Sequence, residues 1–268
     1  DVIALSYMYV FDPPVRRPFL KHLDKPLNEV ILIVDEAHNL PETAVEIASD
    51  SLTEYAMRQA QLEGERFRHH EMAELAEELK ALTQRIAERV EKETYVSPSE
   101  LIESLSESAD IGDPKEFFEE MHKAGGVIRQ QLLSEGKYPR SFVHRVSEFL
   151  LKWLETQDNI AYTHVLNRYV SRTGAPSAKL EVVALDPAEI TEPVFSSVYC
   201  SVNMSGTLQP LQSYVKMTHL PTSTICEAVP SPFPKEHILS LACCGVTTAM
   251  EQRTPTMYKK LVKRIMEV

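Results

Sequence analysis

An α/β fold interrupted by a mostly helical insertion is predicted for this chain of 268 residues, on three observations. The run Val30-Ile31-Leu32-Ile33-Val34 is continuous and β-branched, the pattern of a strand covered on both faces in a parallel sheet. From about Ser51 to about Asp158 the hydrophobic period becomes helical and the composition acidic. Strand signals then return at Lys179 to Leu185 and at Ser196 to Met204, so the sheet is expected to resume there. A structureless loop of well over one hundred residues is implausible inside a compact protein, and the insertion is therefore expected to be a domain of its own.

Each element has its own signal. Asp1 to Leu5 is a short apolar run, and the aromatic stretch Ser6 to Phe11 is broken by Asp12-Pro13-Pro14. Met72, Leu75, Leu79, Leu82, Ile86 and Val90 recur at three- and four-residue steps among charged residues, which predicts a long amphipathic helix. Ser97-Pro98-Ser99-Glu100 and Asp113-Pro114-Lys115-Glu116 each place a capping residue, a proline at the first helical position and a glutamate three residues after the cap. Beyond the turn Gly136-Lys137-Tyr138-Pro139, residues Phe142, Val146, Phe149, Leu150, Trp153 and Leu154 form a further stripe, giving four or five helices in all. Pro221 to Pro234 reads as a boundary loop. Thr254-Pro255 starts a terminal amphipathic helix with Met257, Leu261 and Ile265 on one side and Lys259, Lys260, Lys263 and Arg264 on the other.

Composition excludes several classes. With 43% hydrophobic and 25% charged residues the chain is neither disordered nor fibrous. Lys+Arg total 28 against Asp+Glu 39, a net charge of −11, which removes the global attraction that a duplex-DNA or anionic-membrane binder needs. Any nucleic-acid contact must be a local strip. The apolar runs are far shorter than the roughly 20 residues of a membrane span, so a soluble protein with no membrane partner is expected. Cys200, Cys226, Cys243 and Cys244 form no CxxC pair and are read as mostly buried thiols, and the nine histidines show no metal spacing. The chain opens on Asp1 rather than Met and reads as a piece of a longer protein.

The chemistry concentrates in Asp35-Glu36-Ala37-His38. It follows the apolar strand without a gap, which puts both carboxylates at the strand's carboxyl end, where open parallel sheets bind ligands. In nucleotide hydrolysis, an acidic residue there holds the Mg²⁺ bridging the phosphates while a neighbouring carboxylate orients or deprotonates the attacking water. Asp35 suits the first role, as metal ligand through ATP, and Glu36 the second; His38 suits a coupling role. Asp and Glu after a strand also occur simply as a helix N-terminus exploiting the macrodipole. Ser205-Gly206-Thr207, at the end of another strand candidate, suits hydroxyl contacts that sense a phosphate site, though by itself it is also an ordinary turn. The phosphate cradle GxxxxGK[ST] is absent, so this chain by itself is not expected to bind ATP tightly.

These residues resemble the XPD-like iron-sulfur DNA helicases of superfamily 2, related to DinG. The resemblance is carried by Val-Asp-Glu-Ala-His-Asn at 34–39, Met-Ser-Gly-Thr-Leu at 204–208, Gly-Val-Thr-Thr at 245–248 ahead of Arg253-Thr254-Pro255, and Ser6-Tyr7-Met8-Tyr9 running into Phe11-Asp12-Pro13. It covers nearly the whole chain, the helical middle more by position than by residue. By resemblance, residues 1–50 are part of an incomplete RecA-like motor domain carrying the DEAH box, with Asp35 and Glu36 the Walker B pair. Residues 51–178 are a helical Arch domain, 179–208 return to the first motor domain with Ser205, Gly206 and Thr207 in coupling motif III, and 209–268 open the second motor domain. The resemblance further implies 5′ to 3′ translocation on single-stranded DNA driven by Mg²⁺ and ATP, a role in DNA repair, and repair-complex proteins docking on the Arch domain. It also implies a 4Fe-4S cluster whose ligands lie outside this chain, and a compartment that is cytoplasmic in an archaeon or bacterium and nuclear in a eukaryote.

For single-stranded DNA, basic and stacking side chains are combined in Tyr7, Tyr9, Phe11, Arg16, Arg17, Phe19 and Lys21, of which Tyr7, Arg16 and Arg17 are the leading candidates. Core aromatics beside a solvated basic loop remain the alternative there. A DEAH-type RNA helicase shares only the box itself and reaches motif III after a short connection. The remaining alternative is a non-catalytic interaction module built on the acidic helices.

Overall fold

The computed structural model describes residues 2–171, 174–234, 236 and 239–267. They fall into two units, Asp1–Thr224 and Ile225–Val268. In the first unit, Tyr7 leads into α1 (Met8–Phe11), and the prolines expected to break the aromatic stretch instead start α2 (Pro13–Leu23). A proline at a helix start loses no hydrogen bond, because the first turn's N–H groups have no partner in the helix.

The apolar run forms β1 (Ile31–Val34), and its neighbour is β6 (Cys200–Asn203), paired in parallel from Ile31 opposite Cys200 to Val34 opposite Asn203. Leu32 and Val34 point into a core shared with Phe11, Ala37, Leu40, Val194, Phe195 and Tyr214. That core is closed by α1, by α3 (Leu40–Ala48), by α9 (Ala188–Phe195) and by α10 (Leu211–Met217). The expectation of a strand covered on both faces is corrected here: Ile31 and Ile33 are 63% and 61% exposed. All four helices pack on one face of the pair, and among the described residues no element stacks on the other.

Between β1 and β6 the chain builds a second body. Its sheet is antiparallel, in the order β2 (Asp50–Thr53), β5 (Pro176–Ala184), β4 (Tyr162–Val170), β3 (Glu93–Tyr95). The strand expected to resume the parallel sheet at 179–185 therefore pairs with β2 and β4 instead. Its pattern explains this: Ala178, Leu180, Val182 and Ala184 are buried while the residues between them are half-buried, the alternation of an antiparallel strand with one dry face. A boundary between residues 178 and 179 cuts through this strand.

Five helices complete this body: α4 (Glu54–Arg66), α5 (His70–Ala87) and α8 (Phe142–Thr156) pack on the sheet, while α6 (Pro98–Ser108) packs on α5 and α7 (Pro114–Ser134) on α8. Their buried stripes meet around Trp153, whose indole donates to Pro98 O at 3.2 Å and whose ring lies 4.5 Å edge-on from His164. Burial lowers the His164 pKa, favouring the neutral ring that exchanges a 3.0 Å hydrogen bond with Thr156. Asp113 caps α7 by accepting from the Lys115 and Glu116 N–H groups, whereas Ser97 at the start of α6 makes no such bond. Helix α8 begins under the Glu63 carboxylate, which accepts from Ser141 Oγ and Val143 N, both at 2.7 Å. Where chain enters and leaves this body, Arg145 grips both carboxylate oxygens of Asp50, Lys152 donates to Ser49 O, and Ser49 Oγ accepts from Ala184 N.

The second unit contains the terminal helix expected from Thr254-Pro255, α11 (Pro255–Glu267), with Val262, Ile265 and Met266 exposed. The thiols of Cys200, Cys243 and Cys244 are exposed and only Cys226 is half-buried, which corrects the expectation of buried cysteines; three of the four lie in this unit, where few apolar side chains gather. Among the described residues, no helix is long and apolar enough to cross a membrane.

The α7–α8 contact supplies a test. A Cβ on Gly125 would stand 2.4 Å from His144 N, while one on Gly126 would meet nothing within 4 Å. Gly125→Ala is expected to lower unfolding stability by about 1–3 kcal/mol through overpacking, and Gly126→Ala to raise it by up to about 1 kcal/mol through helix propensity, both read from urea denaturation. Equal effects at the two positions would show that the helices do not pack this closely.

Candidate active site

Sequence places two carboxylates directly after β1, and the fold turns them outward at once. Glu36 takes a left-handed conformation, φ +49° and ψ +41°, and Ala37–Asn39 follow as a single 3-10 turn. Asp35 Oδ1 accepts from Glu36 N at 2.9 Å, closing a tight local ring. Ala37 is fully buried and donates to Met204 O at 3.0 Å, while Met204 N donates to Val34 O at 2.9 Å. The parallel ladder thus runs one residue past β6 and delivers Ser205 beside the carboxylates.

Four of the residues singled out by sequence, Glu36, His38, Ser205 and Thr207, are joined here by hydrogen bonds, though Ser205 lies 169 positions from Glu36. His38 Nδ1 is 2.6 Å from Ser205 Oγ and 3.3 Å from Glu36 Oε2, and Ser205 Oγ donates to Glu36 Oε2 at 3.2 Å. One proton assignment satisfies the two shorter contacts: His38 Nδ1–H donates to the serine oxygen, whose own proton goes to the carboxylate. Thr207 N also donates to Ser205 Oγ at 3.2 Å, and Thr207 Oγ1 lies 3.4 Å from it. Gly206 between them is exposed with free space where a Cβ would stand, so the turn tolerates it without needing it. Asp35, Glu36 and His38 are all exposed.

The aromatic and basic candidates divide. Tyr7 does not project into solvent. Its phenol donates to Asp35 O at 2.5 Å and reaches Glu36 O at 3.0 Å, and its ring meets Phe11 edge-on. Burial, then the Asp35 and Glu36 charges, raise its pKa. Arg16 donates to Val10 O at 3.0 Å, and burial first, then Arg17, lower its pKa. Arg17 is exposed, and Tyr9 packs edge-on against Phe19. Sequence reasoning took Tyr7 for a stacking residue and gave no signal of its contact with the turn, since a pairing across 28 positions has no local periodicity. It also missed Tyr214, which donates to Asn203 Oδ1 at 3.0 Å and steadies the end of β6.

As for groups the site could hold, no set of three or more His, Cys, Asp or Glu side chains forms a metal cage among the described residues. A single exposed carboxylate with one oxygen still open, as at Asp35, suits Mg²⁺ that arrives with phosphates, since that ion keeps most of its shell in water and phosphate oxygens.

A raised phenol pKa means the folded state prefers the protonated form, so the stabilisation by Tyr7 is complete below pH 10 and is lost as pH rises through the folded value. In a spectrophotometric titration, Tyr7→Phe is expected to remove one tyrosine from the phase above the ordinary value of 10.0. Removal from the phase at or below that value would contradict the hydrogen bond to the turn.

With this geometry in place, comparison with known proteins is informative. Residues 56–262 match the family model of the helical and beta-bridge domain, and residues 1–57 match the model named DEAD_2. The chain is similar to a solved XPD helicase, with a TM-score of 0.54 and 19% identity over 100% of this chain and 43% of that one. A solved XPD in its apo form is 20% identical, with a TM-score of 0.49 over 82% of this chain and 38% of that one. The chain spans less than half the length of either. The likeness to the first shows the fold, an α/β arrangement in which part of a RecA-like parallel sheet carries a helical Arch-type body. Since the two models between them run along nearly the whole sequence and the larger covers most of it, the chain belongs to the helical and beta-bridge domain family.

Proposed function

We propose that this chain is the centre of an ATP-dependent DNA helicase that couples ATP hydrolysis to 5′ to 3′ movement along single-stranded DNA in DNA repair, and that it is inactive by itself. The observation that carries this reading is the hydrogen-bonded set His38, Ser205 and Glu36 at the end of the parallel pair. A carboxylate next to a strand-end aspartate is placed to orient and deprotonate water, and its link to a turn on the neighbouring strand gives hydrolysis a route to a second element. Asp35 would hold the Mg²⁺ of Mg·ATP, supplying charge neutralisation at the phosphates. No GxxxxGK[ST] cradle is present to bind those phosphates, so the reading assigns turnover to the longer protein.

Arg17, Tyr9 and Phe19 are the accessible remainder of the single-strand candidates, since Tyr7 and Arg16 have their polar groups engaged within the protein. Repair proteins would dock on the acidic helical body. An RNA helicase of the DEAH type fits less well, because here the whole second body separates His38 from Ser205. A non-catalytic interaction module leaves the His38, Ser205 and Glu36 network without a purpose.

The test is single-stranded-DNA-stimulated ATP hydrolysis by the longer protein, its Glu36→Gln form and this chain. Stimulated turnover is expected in the first, with a loss of at least about 100-fold in Glu36→Gln and retained ATP binding, because the amide keeps the shape but cannot take a proton. Unchanged turnover in Glu36→Gln would overturn the assignment, and an inactive longer protein that still binds partners would favour the interaction module.

A further inference from the structure

Glu36 is held in a left-handed conformation that a non-glycine residue adopts only at an energetic cost, and such a residue persists only where its surroundings over-determine it. Four of its ties are backbone or adjacent: Glu36 N to Asp35 Oδ1, Asn39 N to Glu36 O, Ala37 N to Met204 O, and Met204 N to Val34 O. The fifth comes from a distant side chain. The Tyr7 phenol sits between the carbonyls of Asp35 and Glu36, the two peptide units that flank the Glu36 Cα. Any rotation about Glu36 φ or ψ swings one of those carbonyls away from the phenol. Tyr7 therefore senses the very torsions that set where the Glu36 carboxylate points. The ring is itself fixed, edge-on to Phe11, which in turn meets Phe195 of α9.

We propose that Tyr7 is a positioning residue for the Glu36 carboxylate: its hydroxyl pins the two carbonyls that flank the left-handed residue and so aims the group that acts on water. This rests on the hydrolytic reading of Asp35 and Glu36 given above. The phenol proton is committed to main-chain carbonyls, so Tyr7 acts through Glu36 rather than on a nucleotide. Its removal should slow turnover without weakening nucleotide affinity, because a misplaced general base costs rate while phosphate contacts are untouched.

The experiment compares wild type, Tyr7→Phe and Tyr162→Phe in the longer protein. Tyr162→Phe deletes a partly buried phenol beside Glu189, remote from the carboxylates, and controls for general destabilisation. Tyr7→Phe keeps the ring and is expected to lower kcat for ATP about tenfold, with KM within about twofold and Tyr162→Phe close to wild type. In this chain, amide exchange at residues 37 and 39 should rise in Tyr7→Phe while exchange in β2 and β5 stays unchanged. A kcat equal to wild type, a KM that rises in step with the loss, or equal losses in both variants would each overturn the proposal. Wild type without turnover would instead remove the hydrolytic reading on which it rests, a separate result from an active wild type matched by Tyr7→Phe.

Discussion

The parallel pairing of β1 with β6 is the constraint on which the candidate site depends. Parallel neighbours cannot be joined by a hairpin, so the chain leaving Val34 must travel back before it enters Cys200. Here that return path has become a complete body with its own sheet and core. Its first and last strands, β2 and β5, are neighbours, with Asp50 opposite Val182. Entry and exit therefore lie side by side. An insertion whose ends meet can be large without shifting the register of the strands it separates. Arg145 on Asp50, Lys152 on Ser49 and Ala184 on Ser49 reinforce the junction with hydrogen bonds rather than apolar packing.

From that register the rest of the site follows by a short chain of causes. Two extra ladder bonds through Met204 set Ser205 beside Glu36, and full burial of Ala37 leaves no side-chain volume to push the turn away. The left-handed Glu36 points its carboxylate toward Ser205 and His38, and Tyr7 donates to the main chain of the turn. Each tie is an ordinary hydrogen bond worth on the order of 1 kcal/mol. Their effect lies in acting together on one turn, where a small displacement would break several at once.

Much of this was legible in the sequence, for reasons that can be named. The continuous run at 30–34 followed at once by Asp35-Glu36 gave the strand and the carboxylates at its end, and the stripes of α5 and α8 gave those helices. His38 and Ser205 were singled out separately, and the fold joins them. Three things were not legible. The open face of β1 depends on how many elements stack on it, which no local pattern records. The partner of β5 depends on pairing, although its alternation already spoke for a half-buried antiparallel strand. The role of Tyr7 is a side-chain contact with two distant carbonyls, which neither period nor composition encodes.

The central claim is that His38, Glu36 and the Ser205 turn work as one hydrogen-bonded unit. A double-mutant cycle measures this directly: His38→Ala, Ser205→Ala and the pair, assayed for DNA-stimulated ATP turnover in the longer protein. The account predicts that the double variant is no slower than the slower single variant, because either change breaks the same network. Losses that multiply would contradict it, showing that the two residues act on turnover independently despite standing 2.6 Å apart.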